Sequence, residues 1–263
     1  MLPVIEIFYS IQCEGRYVGV PSIFMRVSGC NLRCVFKGSI CDTPYSSFNP
    51  EKSKYENNQQ ILDDILKLLE KNPQADLVVT GGEPLLYQDE LTWLFGQLMD
   101  MYPELCITVE TNGTIMPKNN FSDYVDLFSV SPKLSTSVDT NHDVLITKEQ
   151  VERHNNTRIN IEALARFYYL QSVFKFVYSG RECVDEIKDL HKSIVDYWKN
   201  KPVFSDSDLI LSNLQDSTYL MPEGITQEQL NNSREECVNV CLEQGWKFTD
   251  RLHITIWGDK RGV

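Results

Sequence analysis

The chain has 263 residues, 42% of them hydrophobic and 24% charged, and its 37 acidic against 25 basic side chains give a formal charge of −12. That length suits one large α/β domain with a substantial core, and the net negative field argues against direct work on nucleic acid. No apolar run approaches the roughly 20 residues that span a bilayer, and the start of the chain has neither a basic region nor a cleavable apolar segment, so a cytoplasmic protein without a membrane anchor is expected.

No repeats, low-complexity tracts or linker-like runs divide the sequence, which predicts one domain over 1–263. Residues 5–8 and 22–27 read as strands, and a cysteine-bearing loop at 29–43 follows them. Ile61, Ile65, Leu66 and Leu69 carry helical spacing over 59–70. A buried strand at 76–80, a helix at 89–101 and a strand at 106–110 come next. Further strands are expected at 127–130, 173–178 and 208–214, helices at 159–169, 184–198 and 226–244, and a last strand at 253–257. Short β-branched runs alternating with helices imply parallel strands joined by right-handed crossovers, hence an open or closed β/α barrel with its chemistry at the carboxyl ends of the strands. A polar excursion at about 133–157 breaks the rhythm.

Three of the eight cysteines, Cys30, Cys34 and Cys41, fall within a dozen residues among the turn-forming Gly29, Asn31 and Gly38. Converging thiolates select zinc, copper(I) or an iron–sulfur cluster, and a cluster held by three cysteines leaves one iron open to another ligand. A structural zinc with a fourth ligand, or unrelated free thiols, also fits these residues. Cys106 and Cys183 stand alone in apolar surroundings, which suits a reducing compartment.

Thr80-Gly81-Gly82-Glu83-Pro84 directly follows a predicted strand, and its two glycines permit close backbone approach to a ligand, or merely a strand-to-helix turn. Glu110-Thr111-Asn112-Gly113-Thr114 and Ser131-Pro132-Lys133 end the next two strands at the same rim. Arg26 lies in an apolar strand-like run, SIFMRVSG, and needs a partner: a planar substrate carboxylate, or an internal one such as Glu14.

The spacing Cys-x3-Cys-x6-Cys is similar to the Cys-x3-Cys-x2-Cys of radical S-adenosylmethionine (SAM) enzymes, with six residues, Val35 to Ile40, in place of two. Together with GGEP it resembles that superfamily. The stretches EIFYSIQCEG (6–15), GVPSIFMRVSGC (19–30) and CDT (41–43), the runs TGGEP, ETNGT, SPK and KFVY, and the ending IWGDKRGV (256–263) resemble the 7-carboxy-7-deazaguanine synthase family within it.

The resemblance implies a partial, incomplete TIM-like β/α barrel and rearrangement of 6-carboxy-5,6,7,8-tetrahydropterin to 7-carboxy-7-deazaguanine with loss of ammonia, SAM acting catalytically. It implies a [4Fe–4S] cluster on Cys30, Cys34 and Cys41, with SAM along Ile40, Cys41, Asp42, Gly82, Glu83, Ser131, Pro132 and Lys133. Mg²⁺ falls to Thr43, and the pterin to Ile11, Gln12, Cys13, Glu14, Arg26, Thr80 and His253. The carboxylate of Val263 would accept from the pterin N–H groups, with Trp257 covering the pocket, unless Lys260 and Arg261 merely solvate an exposed end. A homodimer and an external one-electron reductant of the flavodoxin kind are further implications.

Two departures stand out. Cys13 occupies a position where the family has glycine, either packing as a small apolar side chain or reaching the cluster. The loop between Cys34 and Cys41 is longer and has no tryptophan before its last cysteine. His253 is either a substrate contact or a satisfied core histidine. Two other functions share parts of the pattern: a glycyl-radical activase, and a zinc-stabilised binding protein with Cys13 or His253 as fourth ligand.

Overall fold

Eight strands form one sheet and follow one another across it in chain order. The computed structural model describes residues 1–37, 40–138, 146–199, 201, 207–258 and 260–263. Strand β1 (Val4–Ile11) runs antiparallel to β2 (Pro21–Val27). From β2 onward all pairing is parallel, through β3 (Asp76–Gly81), β4 (Ile107–Thr111), β5 (Leu127–Val130), β6 (Ser172–Tyr178), β7 (Thr218–Pro222) and β8 (Lys247–Phe248). Among the described residues β8 does not pair back to β1, so the parallel sheet stays open as a partial TIM-like barrel.

The helices are α1 (Pro44–Ser47), α2 (Asn58–Lys71), α3 (Gln88–Met101), α4 (Asn119–Ser122), α5 (Lys148–Thr157), α6 (Ile161–Tyr169), α7 (Glu182–Lys199), α8 (Ser207–Ser217), α9 (Gln227–Gln244) and α10 (Leu252–Trp257). Their starts are written locally: Asn57 and Asn160 cap α2 and α6, and Thr147 with Gln150 and Thr226 with Gln229 form capping boxes on α5 and α9. The strands fold as continuous apolar runs because helices cover the outer face of the sheet; Leu77, Val78 and Val79 are all buried. Helix α2 returns Ile61, Leu62, Ile65 and Leu69 to that core, and Phe95, Phe121, Phe128 and Phe167 pack in sequence across it.

Two local expectations are corrected. Residues 208–214 form helix α8 rather than a strand: Ile210 and Leu214, four apart, are buried while Leu209 and Leu211 face solvent, a helical period that the compact run LIL concealed. The strand lies just beyond it, at β7. Residues 253–257 are helical: Ile254 N and Thr255 N bond to Arg251 O, and Gly258 N to Ile254 O. The β-branched Ile-Thr-Ile run favours a strand, but the short β8 has already ended the sheet, so tertiary context overrides propensity. The excursion contains helix α5, hidden in the sequence because it buries only His154; its residues 139–145 lie outside the described residues, as do Gly38 and Asp259.

The register sets the chemistry in rows. Glu6 is paired with Arg26 across β1 and β2, and Arg26 with Thr80 across β2 and β3. Polar side chains from successive strands therefore arrive at one level near the carboxyl end of the sheet.

Candidate active site

A cavity of about 530 Å³ opens at the carboxyl ends of the strands. Cys30, Cys34 and Cys41 line it, all free. The long spacing is absorbed locally: Val35 pairs antiparallel with Ile40, and Cys41 N donates to Cys34 O at 3.0 Å. The second and third cysteines are thereby brought side by side. Cys34 is buried and Cys30 half-buried; burial pushes the Cys30 thiol up to about 11 and the Cys34 thiol higher still. Such thiols are released from their protons by binding a metal centre. The two residues considered as a fourth zinc ligand are engaged elsewhere: Cys13 Sγ donates to Ile11 O at 3.4 Å, and His253 Nδ1 lies 3.9 Å from Glu14. Three soft donors around an open cavity fit a cluster.

The loop is docked on the TGGEP turn by backbone contact. Glu83 N donates to Gly29 O at 2.8 Å and Gly82 N to Val27 O at 3.0 Å. A Cβ on Gly82 would lie 1.9 Å from Gly29 O, and Gly81 adopts φ +129. Both glycines are needed for this approach, which leaves Gly82 at the cavity wall. From the ETNGT turn, Asn112 Nδ2 donates to Asn31 Oδ1 at 2.9 Å, and Asn31 Nδ2 donates to Thr114 Oγ1 at 2.8 Å.

Ile40, Asp42 and Thr43 also line the cavity, together with Ser131 and Lys133, whose Nζ donates to Ser131 Oγ at 2.7 Å. Two expected SAM contacts do not line it. Glu83 is fully buried and turned into the protein, accepting from Leu85 N at 3.0 Å, Thr111 Oγ1 at 2.8 Å and Asn112 N at 2.7 Å. Pro132 is buried behind its neighbours Ser131 and Lys133. Trp257 is not a lining residue either, although His253 and Ile254 of the same helix are.

The same cavity is lined by Ile11, Gln12, Cys13, Glu14, Arg26, Thr80, His253 and Val263. Arg26 Nε donates to Glu6 Oε1 at 2.5 Å, so its internal partner is Glu6, not Glu14. Among the described residues no hydrogen bond engages its Nη1 and Nη2. Gln12 Nε2 and Thr80 Oγ1 both donate to Glu110, at 3.3 and 2.7 Å. Cys13 packs as a small side chain with its thiol on Ile11 O at 3.4 Å, and burial, with Glu14 beside it, pushes that thiol up to about 11.

Glu14 is the centre of a buried ion network that the sequence concealed. Lys175 Nζ donates to it at 2.5 Å and Arg251 Nε at 3.3 Å; Arg251 also donates to Gly224 O at 2.6 Å and pairs with Asp42. Burial alone would raise the Glu14 pKa, but Lys175 and Arg251 outweigh it and hold the carboxyl well below the usual range. His253 stands near, its Nδ1 3.9 Å from Glu14, half-buried and with its pKa lowered by that burial. Lys175 had a signal, a lysine inside the apolar run VFKFVY, of the kind that exposed Arg26. Arg251 had none, because TDRLH reads as an ordinary polar loop.

The tail closes one side. Arg261 donates to Glu6 Oε2 at 2.7 Å and to both oxygens of Glu51 at 2.9 Å, with its guanidinium 3.7 Å from the Tyr45 ring centroid. It does not simply solvate an exposed end.

The family model for the radical SAM superfamily matches residues 25–194. Curated 7-carboxy-7-deazaguanine synthases resemble the chain nearly end to end. The protein of Halobacterium salinarum is 37% identical over 98% of this chain and 91% of its own length. That of Rhodopirellula baltica is 33% identical over 100% and 89%, and that of Pyrobaculum aerophilum 28% identical over 98% and 96%. The crystal structure of QueE from Escherichia coli has the same fold, with a TM-score of 0.52 at 18% identity over 95% of this chain and 93% of that one. With its thiolate triad, its glycine turn and its near end-to-end relatives, the chain belongs to the radical SAM superfamily and, within it, to the 7-carboxy-7-deazaguanine synthase family.

Proposed function

We propose that the chain converts 6-carboxy-5,6,7,8-tetrahydropterin to 7-carboxy-7-deazaguanine with loss of ammonia. The observation that carries this reading is that one cavity is lined both by the cluster cysteines and Gly82 and by Gln12, Arg26, Thr80 and Val263. When bound, the [4Fe–4S] cluster and SAM supply the organic radical that starts the reaction and is restored at its end. Cys30, Cys34 and Cys41 hold the cluster, while Ser131, Lys133, Gly82 and the backbone at 40–42 hold SAM. The chain's own part is to bind, orient and exclude water.

Arg26 offers its two outer nitrogens to the substrate carboxylate while Glu6 fixes Nε. Gln12, Thr80 and Glu110, already bonded to one another, present a preorganised edge to the pterin ring. Glu14 stays ionised among Lys175 and Arg251 and accepts from ring N–H groups, with His253 beside it and Val263 on the tail side. Thr43 contributes a hydroxyl to Mg²⁺, with the substrate carboxylate as a second oxygen ligand. A flavodoxin-like one-electron reductant, a homodimer and a cytoplasmic setting complete the proposal.

The test is an anaerobic assay with carboxypterin, SAM, Mg²⁺ and a reductant, read by mass for the deazaguanine product. Turnover with SAM unconsumed is expected; SAM cleavage without pterin conversion would reject the substrate. Thr43→Ala is expected to make the rate insensitive to Mg²⁺, and an unchanged Mg²⁺ dependence would remove Thr43 from the metal site.

A further inference from the structure

The loop from Cys34 to Cys41, longer than the family's, and the excursion at 133–157, which breaks the alternation of strands and helices, meet. Val35 N donates to Ser137 O at 2.8 Å, and Val35 forms a parallel bridge with Val138. One turn away, Arg33 N donates to His154 Nδ1 at 3.3 Å from helix α5. The residues flanking Cys34 on both sides are therefore tied to the excursion.

Hydrogen bonding fixes the state of the His154 ring. Ser137 Oγ donates to Leu134 O at 2.6 Å, so its contact with His154 Nε2 at 2.9 Å must be one in which the ring N–H donates. That leaves Nδ1 bare to accept from Arg33. The ring is buried and its pKa is pushed down to about 4 by burial, with Arg158 and Lys133 nearby.

The excursion is itself anchored. Arg158 donates to Lys133 O at 2.9 Å and to Glu186 at 2.7 Å, and Glu186 accepts from Ser135 N and Oγ at 2.9 and 2.7 Å. We propose that residues 133–138 and α5 clamp the cluster loop, with His154 as the positioning residue that holds the backbone around Cys34 in its ligating conformation. A longer loop has more conformations to lose when its cysteines converge, and a clamp on Val35 and Arg33 removes many of them in advance. The same segment begins at Ser131 and Lys133, so it ties the cluster loop to that wall of the cavity. The proposal rests on the cluster and not on the substrate; a failed carboxypterin assay leaves it standing.

The experiment compares the anaerobically reconstituted wild type with His154→Leu, His154→Asn and Ser137→Ala. Asparagine keeps an acceptor near the Nδ1 position; leucine removes it at similar volume. Iron and sulfide content, the rate of iron transfer to a chelator, and the electron paramagnetic resonance spectrum of the reduced cluster with and without SAM are read. Outer-shell changes at metal sites typically cost roughly 10- to 100-fold in retention, and His154→Leu is expected to lose iron faster by that order with an altered spectrum. His154→Asn should recover most of the lifetime and the wild-type spectrum. A wild-type lifetime and spectrum in His154→Leu overturns the clamp. Should that variant not fold, Ser137→Ala decides: faster iron loss supports the clamp and wild-type behaviour overturns it.

Discussion

Arg26 and Arg261 are held by opposite oxygens of one carboxylate, Glu6, at 2.5 and 2.7 Å. A residue of the second strand and a residue of the tail thus share one anchor, and the position of the tail is coupled to that of the arginine proposed to face the substrate. Arg261→Ala is expected to raise the substrate Michaelis constant by roughly three- to tenfold, since Glu6, which fixes Arg26 Nε, loses its second charged partner. Cluster content and uncoupled SAM cleavage should stay as in wild type.

Arg26 itself is the sharper test of substrate recognition. Removing the charged partner of a desolvated carboxylate costs about 2 to 5 kcal/mol, so Arg26→Ala should be almost inactive on the carboxypterin with its cluster intact. Arg26→Lys keeps the charge and loses the planar fork, and is expected to recover only part of the activity. Steady-state turnover beside cluster content checks both.

Arg251 joins Asp42 of the cluster loop to Glu14 and to Gly224 O. Breaking a buried pair by removing one partner costs about 3 to 5 kcal/mol because the other charge stays buried. Urea unfolding of the cluster-free Arg251→Ala protein should show a loss of that order, whereas a loss below about 1 kcal/mol would mean that Glu14 finds its compensation in Lys175 alone.

Among the cysteines, Cys30→Ala, Cys34→Ala and Cys41→Ala should each lose the cluster and all SAM cleavage, while Cys106→Ala and Cys183→Ala keep both. Cys13→Gly is expected to be active, because the Cys13 thiol is engaged by Ile11 O rather than directed to the other three. Iron and sulfide analysis of the six variants settles the assignment; a full cluster in Cys41→Ala would show that another ligand replaces it.

Acid stability draws on His191 as well as on His154; His191 is buried between Phe176 and Trp246, and because Thr218 Oγ1 donates to Leu214 O the ring Nε2 donates to Thr218 at 3.0 Å. Burial pushes its pKa down from 6.5 to about 4. Below pH 6.5 the unfolded chain takes up a proton that the folded ring refuses, so the folded state loses stability as the pH falls toward 4. One such group costs about 2 kcal/mol between pH 6.5 and 5. His191→Asn should flatten the decline in unfolding free energy by that amount, as measured by urea titrations at several pH values; an equally steep decline in the variant would place the acid sensitivity elsewhere.

Most strands and helices as far as α7, the three clustered cysteines, the glycine turn and Arg26 were legible in the sequence, because each is written in local chemistry: apolar runs, caps, turn residues, or a charge in an apolar strand. Local signals failed where the surroundings decide. Residues 253–257 alternate like a strand and fold as a helix because the sheet has already ended, and α5 shows no apolar stripe because only His154 faces inward. Glu83 looked like a ligand contact and is instead consumed by three donors inside the protein. Only the tertiary structure brings Arg251 to Asp42 and Glu14, Arg261 to Glu6, and His154 to Arg33. These pairs lie far apart in the chain, and a charge that reads as solvated in sequence becomes part of a buried network only once the sheet has set its register.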